Sequence, residues 1–106
     1  MLYELRIYHM YPGKMQAIND RFANHTLRIF AGLGMRVTHF WEDLDAGHNR
    51  LYYIMEFADM DERNAKLEAF RSNPEWVQVK TESEKDAPIV EKVESIFMKQ
   101  APYFPQ

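Results

Sequence analysis

Four histidines and a group of aromatic residues are the side chains through which this chain could do chemistry. His25 follows Met15, Ile18 and Phe22 at helical spacing, so it is expected on the apolar face of a helix. An imidazole shielded from water transfers protons near neutral pH, because burial lowers its pKa. The side chains expected around it are His9, His39, Trp41, Tyr53 and Met55, a lining suited to a flat apolar or aromatic molecule. His25 is then the candidate general base, removing a proton beside a carbonyl. A core histidine satisfied by a backbone carbonyl or by the Tyr53 hydroxyl accounts for the same pattern, and both readings stand at this stage.

Other chemistries find less support. The histidines have no HxH or HExxH spacing, and no clustered carboxylates offer an oxygen site for a hard cation. His9, His25 and His39 converge only if the fold brings them together. No cysteine is present, which excludes disulfides, thiol catalysis and thiolate metal sites. No metal and no cofactor are expected. His48 lies in a polar loop and reads as solvated.

The elements that must position these residues follow from the pattern. At 106 residues, 46% hydrophobic and 14% aromatic, the chain reads as one folded domain, residues 1–106. A net charge of −3, with thirteen basic residues scattered among sixteen acids, gives no footprint for nucleic acid. No apolar run reaches membrane-spanning length, and no leader pattern precedes Leu2, so a cytoplasmic home is expected. The stretch Tyr3 to Tyr11 reads as a strand closed by Pro12-Gly13. A helix carrying Met15, Ile18, Phe22, Ile29 and Leu33 follows and ends at Gly32 and Gly34. Strands are expected over Met35–Leu44 and Arg50–Phe57, joined by a polar hairpin loop. Asp59 and Glu62 have capping-box spacing for a second helix, which breaks at Asn73-Pro74 and restarts. A last strand runs over Ile89–Met98, before the Pro-rich tail.

The order strand, helix, strand, strand, helix, strand is that of an α+β ferredoxin-like βαββαβ fold. Its four-stranded antiparallel sheet carries both helices on one face, with the first and third strands central. Sorting each strand by parity places Tyr3, Leu5, Ile7, His9, Val37, His39 and Trp41 with Leu51, Tyr53, Met55 and Phe57 on the more apolar, helix-covered face. The opposite face would hold Glu4, Arg6, Tyr8, Phe40, Tyr52, Ile54, Glu94 and Ile96. It is too apolar to stay open to water in a small monomer. Two subunits pressing these faces together would cover it, with Glu4, Arg6 and Glu94 paired inside or at the rim. A monomer with one solvated sheet face is the alternative.

These residues resemble the NIPSNAP family, part of the dimeric α/β-barrel group. The likeness rests on Tyr3-Glu4-Leu5-Arg6 with Tyr8, Pro12-Gly13-Lys14, Phe22, His25 and Gly34. It continues through Trp41, Asn49, Glu62-Arg63, Pro74-Glu75-Trp76, Glu94 and Pro102-Tyr103. Tyr53 and Met55 stand where His and Trp are expected in close relatives. The resemblance implies the fold and a homodimer, and supplies no agreed reaction. Related barrels suggest cofactor-independent oxidation or isomerisation with His25 as base, and some hold haem through an axial histidine. A small-molecule pocket between sheet and helices, an enzyme of that kind, and a non-enzymatic homo-oligomeric interaction domain are the three functional expectations.

Overall fold

The computed structural model describes residues 1–105. Strand β1 (Leu2–Met10) ends at Pro12-Gly13, where Gly13 adopts a φ of +80°. A continuous helical rod follows: α1 (Met15–Arg21), a π-helical turn (Phe22–Thr26) and α2 (Leu27–Gly32). It stops in a Schellman motif, with Met35 N–H donating to the Phe30 carbonyl and Gly34 N–H to that of Ala31. Gly34 takes the left-handed conformation this turn requires, φ +72°.

Strand β2 (Arg36–Glu42) and β3 (Arg50–Phe57) form a hairpin around a short 3-10 turn, Ala46–His48. Helix α3 (Met60–Arg71) starts on Asp59, whose carboxylate accepts from Glu62 N–H at 2.8 Å. Helix α4 (Pro74–Ser83) starts on Asn73, whose side chain accepts from Trp76 N–H at 3.0 Å. Strand β4 (Val90–Met98) completes an antiparallel sheet of order β2-β3-β1-β4, with the first and third strands central as the chain order implies. The fold is the expected α+β, ferredoxin-like arrangement, and Ile18, Phe22, Ile29, Phe30, Leu67 and Phe70 of the helices share one core with β3.

The faces of the sheet differ from the parity assignment. Tyr8 pairs with Leu51, Arg6 with Tyr53 and Glu4 with Met55, so the even residues of β1 lie beside the odd, buried residues of β3. Tyr3, Leu5, Ile7 and His9 therefore occupy the open face, and Glu4, Arg6 and Tyr8 lie under the helices. A polarity rule misplaces β1 because Glu4 is charged, yet its side chain is fully buried and neutralised by partners. A bulge between Val37 and His39 also breaks the alternation of β2. Val37 and Phe40 consequently both face the helices, while His39 and Trp41 sit opposite Ile54 and Tyr52 on the open side.

Candidate ligand-binding cleft

Under the helices, Glu4 anchors a polar network. Its carboxylate accepts from Arg63 Nε and a second Arg63 nitrogen at 2.9 Å each, from Arg6 at 3.0 Å and from Ser95 Oγ at 2.7 Å. Burial pushes the Glu4 pKa up, but the hydrogen bonds from Arg63 and Ser95 and the Arg6 charge outweigh it and leave it lowered. Arg6 turns its Nε to the Tyr53 hydroxyl at 2.8 Å, and Tyr53 donates to the Tyr8 hydroxyl at 3.1 Å. Burial drives the Tyr53 phenol well above its ordinary pKa, so it stays a donor.

Tyr8 closes one end of a cleft of about 270 Å³ between the helix layer and the β1–β4 side of the sheet. The helices cover this side incompletely: Val93 and Phe97 lie on the helix-facing side of β4 yet are 40% and 43% exposed, Phe97 with the Arg63 guanidinium 5.1 Å from its ring. Val90 and Val93 form an apolar floor, and Trp76 of α4, its ring stacked on Phe70 at 4.6 Å, lines the side. Arg21, held from α1, stacks its guanidinium 5.0 Å from the Trp76 ring. Arg21 also reaches Ser83 Oγ at 3.2 Å and Glu84 at 3.6 Å. Lys80, Lys92, Glu84 and Glu91 line the mouth, so three cationic side chains, with Arg21, face two carboxylates.

The residues expected to surround a common pocket are not together. Tyr53 and Met55 are fully buried in the core, where Tyr53 packs on Phe40 at 4.8 Å, Phe22 at 5.4 Å and Tyr8 at 5.4 Å. No room remains there for a ring. His9, His39 and Trp41 lie on the opposite face of the sheet, His39 stacked on Trp41 at 5.1 Å and His9 paired with Glu94. His25 is exposed in a groove of about 550 Å³ between α1 and α4, lined also by Arg28 and Glu75. The cause is the π-helical turn, which brings Thr26 rather than His25 beneath Phe22, with Thr26 Oγ1 bonded to the Arg21 carbonyl five residues back. His25 therefore cannot act on a ligand between sheet and helices. The three histidines do not converge, and among the described residues no group of three or more His, Asp or Glu could hold a metal ion. Of the interface set, Tyr52, Ile54, Glu94 and Ile96 lie on the open face, whereas Glu4, Arg6, Tyr8 and Phe40 do not. His48 is exposed, as its loop implies, and joins Asp43 at 3.2 Å and Arg50 at 2.6 Å in the hairpin.

The NIPSNAP family model matches residues 3–105, nearly the whole chain. The chain belongs to the NIPSNAP family. An uncharacterised NIPSNAP domain protein from Burkholderia xenovorans has a similar structure, with a TM-score of 0.83 and 23% identity over all of both chains. A NIPSNAP family protein from Agrobacterium tumefaciens aligns with a TM-score of 0.85 and 16% identity, covering 98% of this chain and 96% of that one. A further Agrobacterium tumefaciens member, described as of unknown function, reaches 0.83 with 23% identity over 99% and 92%. No curated protein matches the chain.

For this NIPSNAP chain, the residues that the sequence does not single out for the site are Arg21, Trp76, Arg63 and Ser95, while Tyr8 is expected from it on the open face. Arg21 reads as lying off the apolar stripe, although it is only 5% exposed. Its place one helical turn from Ile18 is the signal available, and it becomes legible only once Trp76 is known to lie opposite. Among the described residues no helix is long and apolar enough to cross a membrane.

Proposed function

We propose that this NIPSNAP domain binds a small aromatic molecule in the cleft above β1 and β4. The observation that supports it is the incompletely covered apolar floor. Val93 faces the helix layer yet is 40% exposed, and Trp76 lines the same cleft. A ring laid on Val90 and Val93 beside the edge of Trp76, whose faces are taken by Phe70 at 4.6 Å and the Arg21 guanidinium at 5.0 Å, would lose apolar area to water at roughly 25 cal/mol per Å². The larger His25 groove is less suited. Its rim charges already satisfy each other through the Arg28–Glu75 pair at 2.9 Å and 3.1 Å, and it opens between two helices. The test is a titration of isotope-labelled protein with benzoate, phenylacetate, 4-nitrophenol and toluene, followed by amide and indole resonances. Shifts centred on Val93 and the Trp76 indole support the reading. Shifts no larger there than at Trp41 would defeat it.

We further propose that the open sheet face pairs with a second copy of the chain. Leu5, Ile7, Trp41, Ile54 and Ile96 share this face, and Trp41 is half exposed. Charges of both signs are interspersed on the same surface: Arg36 with Glu56 and His9 with Glu94. A two-fold axis can oppose such a mixed surface to itself. Sedimentation velocity at micromolar concentration should give twice the chain mass, and a purely monomeric boundary would refute the pairing.

A further inference from the structure

One buried donor in the cleft, Arg21 Nε, has no acceptor, and a buried hydroxyl in the same cleft, that of Tyr8, is engaged only with Tyr53. Tyr8 accepts from Tyr53, so its oxygen already serves as acceptor in the relay that starts at Arg6. With that contact made, the Tyr8 hydroxyl hydrogen is free to turn into the cleft that Tyr8 lines. Arg21 is 5% exposed and spends two contacts on Ser83 and Glu84 through one terminal nitrogen, while its Nε has no partner. A buried donor left unpaired is costly, and a native fold rarely keeps one beside a cavity without use. Both side chains line the same cleft, and Trp76 holds the Arg21 plane in place.

We propose that Tyr8 and Arg21 form an oxyanion site, so that the cleft selects aromatic molecules carrying an ionised oxygen: a carboxylate, a phenolate or an enolate. This inference rests on the aromatic-binding reading and adds the charge state of the ligand. The relay has a direction that favours it. Arg6 is positive and donates to Tyr53, which donates to Tyr8, so each link polarises the next and strengthens the final O–H as a donor. Arg21 brings a positive charge into a region screened from water, where burial weakens its hold on its proton and Glu84 opposes that loss. Glu84 is engaged with Arg21 and with Ile89 N–H at 3.1 Å, and Lys80 and Lys92 offset the two glutamates at the mouth. A neutral phenol accepts weakly and must place its own hydrogen among donors, whereas an oxyanion accepts from both with charge-assisted bonds.

The experiment uses 4-nitrophenol, whose absorption spectrum distinguishes phenol from phenolate, titrated with pH in the presence of saturating protein. Bound phenolate is expected to be favoured about ten-fold over bound phenol, which lowers the probe's ionisation midpoint by about one pH unit. Tyr8→Phe keeps the ring packing and removes the donor, and should abolish most of that shift while leaving toluene binding intact. Tyr53→Phe, which frees the Tyr8 hydroxyl to rotate, should give a smaller shift and covers the case of a poorly folded Tyr8 variant. A probe that binds with an unchanged or raised midpoint overturns the oxyanion site but leaves aromatic binding standing. Benzoate or toluene binding without any 4-nitrophenol binding overturns it as well, and no binding by any of the three compounds removes both readings.

Discussion

Glu4 is a carboxylate without access to water, and its burial is tolerable only because two arginines and a serine donate to it. Removing the charge would strand Arg63 and Arg6. Loss of one partner from a buried ion pair commonly costs about 3–5 kcal/mol, a large part of the 5–15 kcal/mol typical of a domain. Glu4→Gln is therefore expected to lower unfolding free energy by about 3 kcal/mol at pH 7, as read by urea denaturation. The pH dependence follows from the lowered Glu4 pKa. The carboxylate contributes stability that is present above its ordinary value of 4.5 and is lost as pH falls through the lower folded value. The gap between parent and variant should thus narrow in acid, and two curves that stay parallel from pH 7 to pH 3 would show that Glu4 is not the titrating group. Of this, the residues alone made legible the pairing of Glu4 with Arg6, and not the Arg63 and Ser95 partners. Glu4 and Arg63 are distant in sequence, and the charge of Glu4 argued for the wrong side of β1.

At the scale of elements, local signals read well and phase changes do not. Asp59 with Glu62, Asn73 with Pro74, and the Gly34 stop all appear where the spacing puts them, because a cap or a left-handed turn depends on neighbours within a few residues. The π-helical turn and the β2 bulge each insert a shift that no local residue type announces. They displaced His25, His39 and Trp41 from the face expected of them. Helix α4 gives a test of an element acting on the cleft. Asn73→Ala removes the acceptor for Trp76 N–H and should cost about 1 kcal/mol. Since Trp76 lines the cleft, affinity for benzoate should fall in the same variant, whereas Asp59→Ala, at a similar cost to α3, should leave it nearly unchanged. Equal losses of affinity in both would mean that general destabilisation, and not the seating of Trp76, controls binding. Gly34→Ala combines a φ of +72° with a new methyl 3.2 Å from Lys66 Nζ. The flexible lysine can move, so the backbone term dominates, and a loss of about 1–2 kcal/mol is expected from thermal unfolding.

The sheet divides the molecule into a packed side and an open side. On the packed side, Tyr8, Phe22, Phe40 and Tyr53 form an aromatic cluster. On the open side, Ile54 stands among Leu5, Ile96, His39 and Trp41 and is only partly buried. The sequence made the existence of two apolar faces plain, because every strand is rich in Ile, Phe, Tyr or Trp, but not which strand residues belong to which. Identical substitutions on the two faces should therefore fail in different ways. Ile54→Asp places a carboxylate where a single chain leaves it in water, so the chain should keep its circular dichroism and much of its stability. In a face-to-face pair the same carboxylate would be buried opposite its symmetry mate without a partner, which is strongly unfavourable. Light scattering should accordingly report a folded monomer for Ile54→Asp and a dimer for the parent. Phe40→Asp, by contrast, puts the charge against Phe22 and Tyr53 and should unfold the chain whatever its oligomeric state. If Ile54→Asp remains a dimer, the copies meet through some other surface. If it unfolds as Phe40→Asp does, the open face is needed for the fold of the single chain.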